Sequence, residues 1–167
     1  MDLIVIDGTS DEALDFDRRI HPGAIQATSV HGMVQHVLAR LGQHGLIDRL
    51  VIWSHGDAGQ EYMGLGPWDG NTIPHPYRRM LAVDPQGHLL NPAELARLTG
   101  RFAGNGVVEL HGCQVARHLR GRLLLQALAN LWKVTARAAI WDQLSDYRNR
   151  FQGPVFEATP GRAAHQI

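Results

Sequence analysis

Residues 107–116, VVELHGCQVA, decide the fold: an apolar run ends there in Gly-Cys, and a helical pattern begins a few residues later. A short run of this kind reads as a buried strand. Upstream, residues 50–56, LVIWSHG, repeat the arrangement, an apolar run closing on His-Gly. Read as neighbouring parallel strands, the two runs present His55 and Cys113 side by side at their carboxyl ends. Open α/β sheets place their active crevices outside those ends.

Working outward, residues 3–6 form a short apolar strand that leaves through Asp7-Gly8. Residues 11–25 read as a loop or a short helix. Val30, Met33, Val34, Val37, Leu38 and Leu41 then recur at three- and four-residue spacing, one face of an amphipathic helix. Thr28 or Ser29 can cap its start, and Gly42 or Gly45 can end it. Asn91-Pro92 opens a short helix that Gly100 stops. Residues 121–132, GRLLLQALANLW, read as a well-buried helix, and residues 134–141, VTARAAIW, as a further strand. Strands alternating with helices imply right-handed crossovers. The expected fold is a three-layer α/β/α sandwich around a mostly parallel sheet of about four to six strands, in one domain spanning 1–167.

Two stretches stand outside that alternation. Residues 57–87 form a glycine- and proline-rich excursion holding Tyr62, Trp68 and Tyr77, with a hairpin expected around 61–65. Loops of this length usually carry function or lack order. The polar residues from 159 to 167 read as a mobile tail.

Composition narrows the partners. Hydrophobic residues make up 44% and charged residues 19%, which is ordinary for a globular protein. Sixteen basic side chains balance sixteen acidic ones, so no net field draws nucleic acid or an anionic membrane. No apolar run approaches the roughly 18 residues of a membrane span, and the first residues, MDLIVIDGTS, lack the pattern of a signal peptide. A single cysteine forms no internal disulfide. The expectation is a cytoplasmic protein with a reduced thiol and no cofactor.

A free cysteine is usually a buried packing residue, and a histidine at a turn usually satisfies one hydrogen bond. What raises this pair above that reading is their placement at the ends of two adjacent strands, each beside a glycine. An imidazole next to a thiol takes its proton and yields the nucleophilic thiolate. Acyl transfer also needs donors for an oxyanion, commonly backbone N–H groups in a tight turn. His111 competes with His55 as the base. It lies two residues before Cys113 on the same face of the strand, but deeper in the sheet, where it is expected to pack.

The motifs SHG (54–56) and GCQVA (112–116), followed by Gly121 and LLLQALANLW, resemble the caspase, legumain and gingipain class of cysteine peptidases. The closer likeness is to caspase-like domains of bacterial proteins, and it covers residues 46–141 apart from the excursion. The resemblance implies a cysteine endopeptidase working through a thioester acyl-enzyme. His55 is then the general acid/base, Cys113 the nucleophile, and the N–H groups of Gly56 and Cys113 the oxyanion site. Asp57, Trp141 and Asp142 become the candidates to line a substrate pocket, whose acidic floor would favour Arg or Lys. The partner is a peptide or protein substrate, and an activating protein is compatible with the class.

Two other readings remain open. The first is a non-catalytic caspase-like binding module using the 57–87 excursion, with Trp68 and Tyr77 as anchors. The second is a zinc site from His55, His111, Cys113 and His118, whose ligand types suit zinc although their spacing matches no close-paired pattern. Dinucleotide and P-loop fingerprints are absent.

Overall fold

Strands that are apolar on both faces belong inside a covered sheet, and the computed structural model puts these there. It describes residues 1–8, 12–57, 60–62, 80–144 and 148–167. The main sheet is built from β1 (Asp2–Asp7), β2 (Ile25–Ala27), β3 (Ile47–Trp53), β7 (Phe102–Leu110), β8 (Thr135–Ala139), β9 (Val155–Thr159) and β10 (Arg162–Gln166). Its order is β10-β9-β8-β7-β3-β1-β2. The pairs from β2 to β8 are parallel, and the two that add β9 and β10 are antiparallel. Helix α1 (Glu12–Ile20) covers one face, where Leu14 packs with Ile6, Val51 and Trp53. Helices α2 (Val30–Leu41), α3 (Pro92–Ala96) and α4 (Leu119–Trp132) cover the other. The architecture is the expected three-layer α/β/α sandwich.

The larger core follows from the alternation of side chains along each strand. Leu50 and Ile52 of β3, Val108 and Leu110 of β7, and Ala136 and Ala138 of β8 meet Val34 and Val37 of α2 and Leu124, Leu125 and Leu128 of α4, all buried. Each such leucine contributes about 2 kcal/mol through removal from water. The Trp132 indole stacks on Phe102 with centroids 5.3 Å apart and donates its N–H to Leu95 O at 2.7 Å, so its polar edge is satisfied. Ser29 caps α2 by accepting the Gly32 N–H at 3.0 Å. Gly42, at φ +63° and ψ −155°, closes the helix in a conformation open to glycine and donates its N–H to Leu38 O.

The sheet has more strands than the four to six expected. β2 is three residues long, too short to show a period. β9 and β10 lie in a polar stretch, where only Phe156 and Ala158 mark a buried face. The residues after Thr159, read as a mobile tail, form the edge strand β10 against β9. The 57–87 excursion also differs from the expected loop. β4 (His55–Asp57), β5 (Gln60–Tyr62) and β6 (Met80–Ala82) make a small antiparallel sheet in which β4 and β5 pair across 55–62, while residues 63–65 of the expected hairpin lie outside the described residues. Leu81, Ala82 and Val83 are buried. Trp68 and Tyr77, the anchors of the binding-module reading, lie outside the described residues. Among the described residues, no helix is long and apolar enough to cross a membrane.

Candidate functional site

Register positions the site. β3 and β7 pair in parallel as far as Ile52 and Leu110, and the His111 N–H then donates to Ile52 O at 2.8 Å. Beyond that pairing the two chains leave their strands, His55–Gly56 on one side and Gly112–Cys113 on the other. The packing at Gly56 shows how closely the segments meet. A Cβ built there would stand 2.6 Å from Cys113 N, 2.6 Å from Gly112 C and 2.7 Å from Cys113 O. No side chain fits that space, so glycine is what lets the His55–Gly56 backbone lie on the Gly112–Cys113 peptide. His55 also begins β4, where it pairs with Tyr62 in the small sheet.

Cys113 opens a turn between β7 and α4. It is partly buried, and its thiol donates to the Gln143 carbonyl at 3.9 Å. Gln114 follows at φ +57°, a conformation that costs a non-glycine residue energy and needs support. The support is present. Its N–H donates to Trp141 O at 3.0 Å, and its carboxamide donates to Asp142 Oδ1 at 2.8 Å. Ala116 N–H adds a bond to Ala139 O at 3.0 Å. Gly121 then ties the turn to α4, since a Cβ there would lie 1.7 Å from Val115 O.

His111 is 2% exposed. It is sandwiched between Phe151, parallel at 4.1 Å, and Trp53 at 4.4 Å, with Nε2 3.4 Å from Glu109 Oε2. These contacts make it a packed polar residue, as its depth in the strand implied. Glu109 anchors a charged row across the sheet. Arg49 donates to its Oε2 at 2.5 and 3.0 Å, and Arg137 lies 3.9 Å from Oε1 while pairing with Glu157 at 2.7 Å. Burial alone would push the Glu109 carboxyl up, but the hydrogen bonds from His111 and Arg49 outweigh it. The group sits below its ordinary value of 4.5.

Of the expected pocket residues, Trp141 and Asp142 flank the turn at Cys113 through their contacts with Gln114. Trp141 is 58% exposed. Asp142 is exposed and already accepts from Gln114, so it does not form a buried acidic floor. The Asp57 side chain lies outside the described residues. A cavity of about 280 Å³ beside Leu3, His21, Pro22 and Arg40 opens near the amino end of β1, away from the thiol. For the zinc reading, no group of three or more His, Cys, Asp or Glu side chains is gathered among the described residues.

Sequence reasoning missed Gln143 and Gln152. Gln143, 8% exposed, donates through Nε2 to Trp141 O (2.8 Å) and Gln152 O (3.1 Å) and accepts the Gln152 N–H (3.0 Å). Nothing local in the sequence marks such a pair, because the groups of Gln152 that Gln143 meets are backbone atoms nine residues away.

A model of the family described as a domain of unknown function, DUF4347, matches residues 3–143. The chain belongs to that family. The DUF4347 match runs from β1 through both strand ends to Gln143, and the β9–β10 hairpin and Gln152 lie beyond it. No curated protein and no solved structure matches the chain.

Proposed function

We propose that the protein is a cysteine peptidase of the caspase-like kind, with Cys113 as nucleophile and His55 as general acid/base. The observation that carries this reading is the seating of Gly56 on the Gly112–Cys113 peptide. It draws an imidazole-bearing segment, a thiol and two backbone N–H groups to the carboxyl ends of adjacent parallel strands, where the chemistry of such sheets is found.

In this reading His55 takes the Cys113 proton, and the thiolate attacks the scissile carbonyl carbon. The oxygen, now negative, is held by the N–H groups of Gly56 and Cys113. The C–N bond breaks as His55 protonates the leaving amine, which leaves a thioester on Cys113. His55 then deprotonates water, which attacks the thioester and releases the acid and the thiol. His111, enclosed by Trp53, Phe151 and Glu109, takes no part in proton transfer.

The test is cleavage of a mixed peptide library, read by mass spectrometry, with circular dichroism as the check on folding. Cys113→Ala abolishes cleavage in a folded protein, and His55→Ala lowers it by about 10² to 10⁴. Cleavage that survives Cys113→Ala refutes the reading. So does a parent protein that cleaves no peptide and whose Cys113 resists iodoacetamide.

A further inference from the structure

The thiol's acceptor is held by two glutamines that the dyad chemistry does not use. Cys113 donates to the carbonyl of Gln143, and the N–H of that same peptide unit, on Leu144, donates to Gln152 Oε1 at 2.8 Å. A peptide is planar, so fixing its N–H fixes the direction of its C=O. Gln143 returns the grip by clasping both backbone groups of Gln152. Its carboxamide faces two carbonyl oxygens, those of Trp141 and Gln152, and one N–H. Only the orientation with Nε2 toward the carbonyls satisfies all three contacts. The Trp141 carbonyl also accepts the N–H of Gln114, the residue after the nucleophile. One clasp therefore governs both the acceptor of the thiol and the turn that presents it.

We infer that Gln143 and Gln152 are positioning residues, which hold the 143–144 peptide so that its carbonyl keeps Cys113 as an aligned thiol in the resting enzyme. As a statement about catalysis this rests on Cys113 being the nucleophile. As a statement about the thiol it stands by itself. A carbonyl oxygen accepts from S–H and repels a thiolate, so the contact restrains the sulfur. Releasing the carbonyl then has opposite effects on two reactions. A small electrophile meets a freer sulfur and reacts faster, whereas acyl transfer loses alignment and slows.

The experiment compares Gln152→Ala with Gln152→Glu. Alanine removes the acceptor of the Leu144 N–H, while glutamate keeps a carboxylate oxygen in its place. Both leave the backbone groups that Gln143 clasps. Gln152→Ala is expected to be alkylated by iodoacetamide about three- to tenfold faster at pH 7, the equivalent of one ordinary hydrogen bond. Gln152→Glu returns to near the parent rate. With a cleaved peptide in hand, Gln152→Ala lowers kcat and leaves KM near the parent value. A folded Gln152→Ala protein alkylated at the parent rate overturns the inference, as does a Gln152→Glu protein displaced as far as the alanine variant. If Gln152→Ala fails to fold, amide exchange in the parent decides. Slow exchange at Leu144, on a residue 71% exposed, supports the clasp, and exchange at the rate of an unstructured amide refutes it. Alkylation needs no peptidase activity. A chain that cleaves no library peptide yet shows this pattern keeps the positioning role, so the two readings fail separately.

Discussion

Cys113 is bounded by two regions built on different principles. On the β3–β4 side, which follows the parallel pairing of β3 with β7, Gly56 is placed by backbone lying on backbone and His55 is the residue before it. On the loop side, between β8 and β9, the thiol's acceptor is placed by side chains, Gln143 and Gln152, reaching across a turn. Backbone placement tolerates no added atom, whereas side-chain placement can be loosened one bond at a time. A site made this way has a rigid wall carrying His55 and an adjustable wall touching Cys113.

Breaking the rigid wall has the largest effect. Gly56→Ala puts a methyl group 2.6 Å from Cys113 N, so the two segments separate. On the peptidase reading, cleavage falls about hundredfold, the scale of a misplacement near 1 Å. The check is kcat/KM beside a thermal melt. A variant as active as the parent would mean that the approach of the two backbones does not set the geometry. The next effect is on the turn leading out of the site. Gly121→Ala drives a methyl group into Val115 O and costs about 1–3 kcal/mol by overpacking, measured as a drop in the urea midpoint.

The charged row beneath His111 sharpens the contrast through pH. The Glu109 carboxyl titrates below its ordinary 4.5 when folded, so the stability it adds is complete above that value and is lost as the pH falls through the folded value. Urea midpoints of the parent therefore drop on acidification below about pH 4.5, and those of Glu109→Gln drop less. Equal slopes would remove the paired Glu109 as a support of the wall. The smallest effect lies far from either wall. Ser29→Ala removes the α2 cap and costs about 1 kcal/mol, with alkylation of Cys113 unchanged.

The same division explains what could be read in advance. The rigid wall is written in local patterns: apolar runs ending in SHG and GC at the ends of strands, with period and punctuation marking β3, β7, α2 and α4. The position of His111 in its strand likewise marked it as a packed residue. The adjustable wall is written in pairings. Gln143 finds the backbone of Gln152, Phe151 stacks on His111, and Asn149 accepts from the Trp53 indole at 2.7 Å. Each joins residues whose types carry no periodic signal, so only the closed chain brings them together. β2 and β10 escaped notice for other reasons: β2 buries Ile25 and Ala27 but is only three residues long, and β10 buries none of its residues fully.

The two histidines give the most direct test of the dyad. A peptidyl electrophile that traps cysteine nucleophiles is incubated with the parent, His55→Ala and His111→Gln, and adducts are counted by intact-mass spectrometry. The expected result is one adduct at Cys113 in the parent, formed about 10² or more times slower in His55→Ala and at nearly the parent rate in folded His111→Gln. Labelling that survives His55→Ala at the parent rate, or that is lost only in His111→Gln, would contradict the assignment of His55 and Cys113 as the reacting pair.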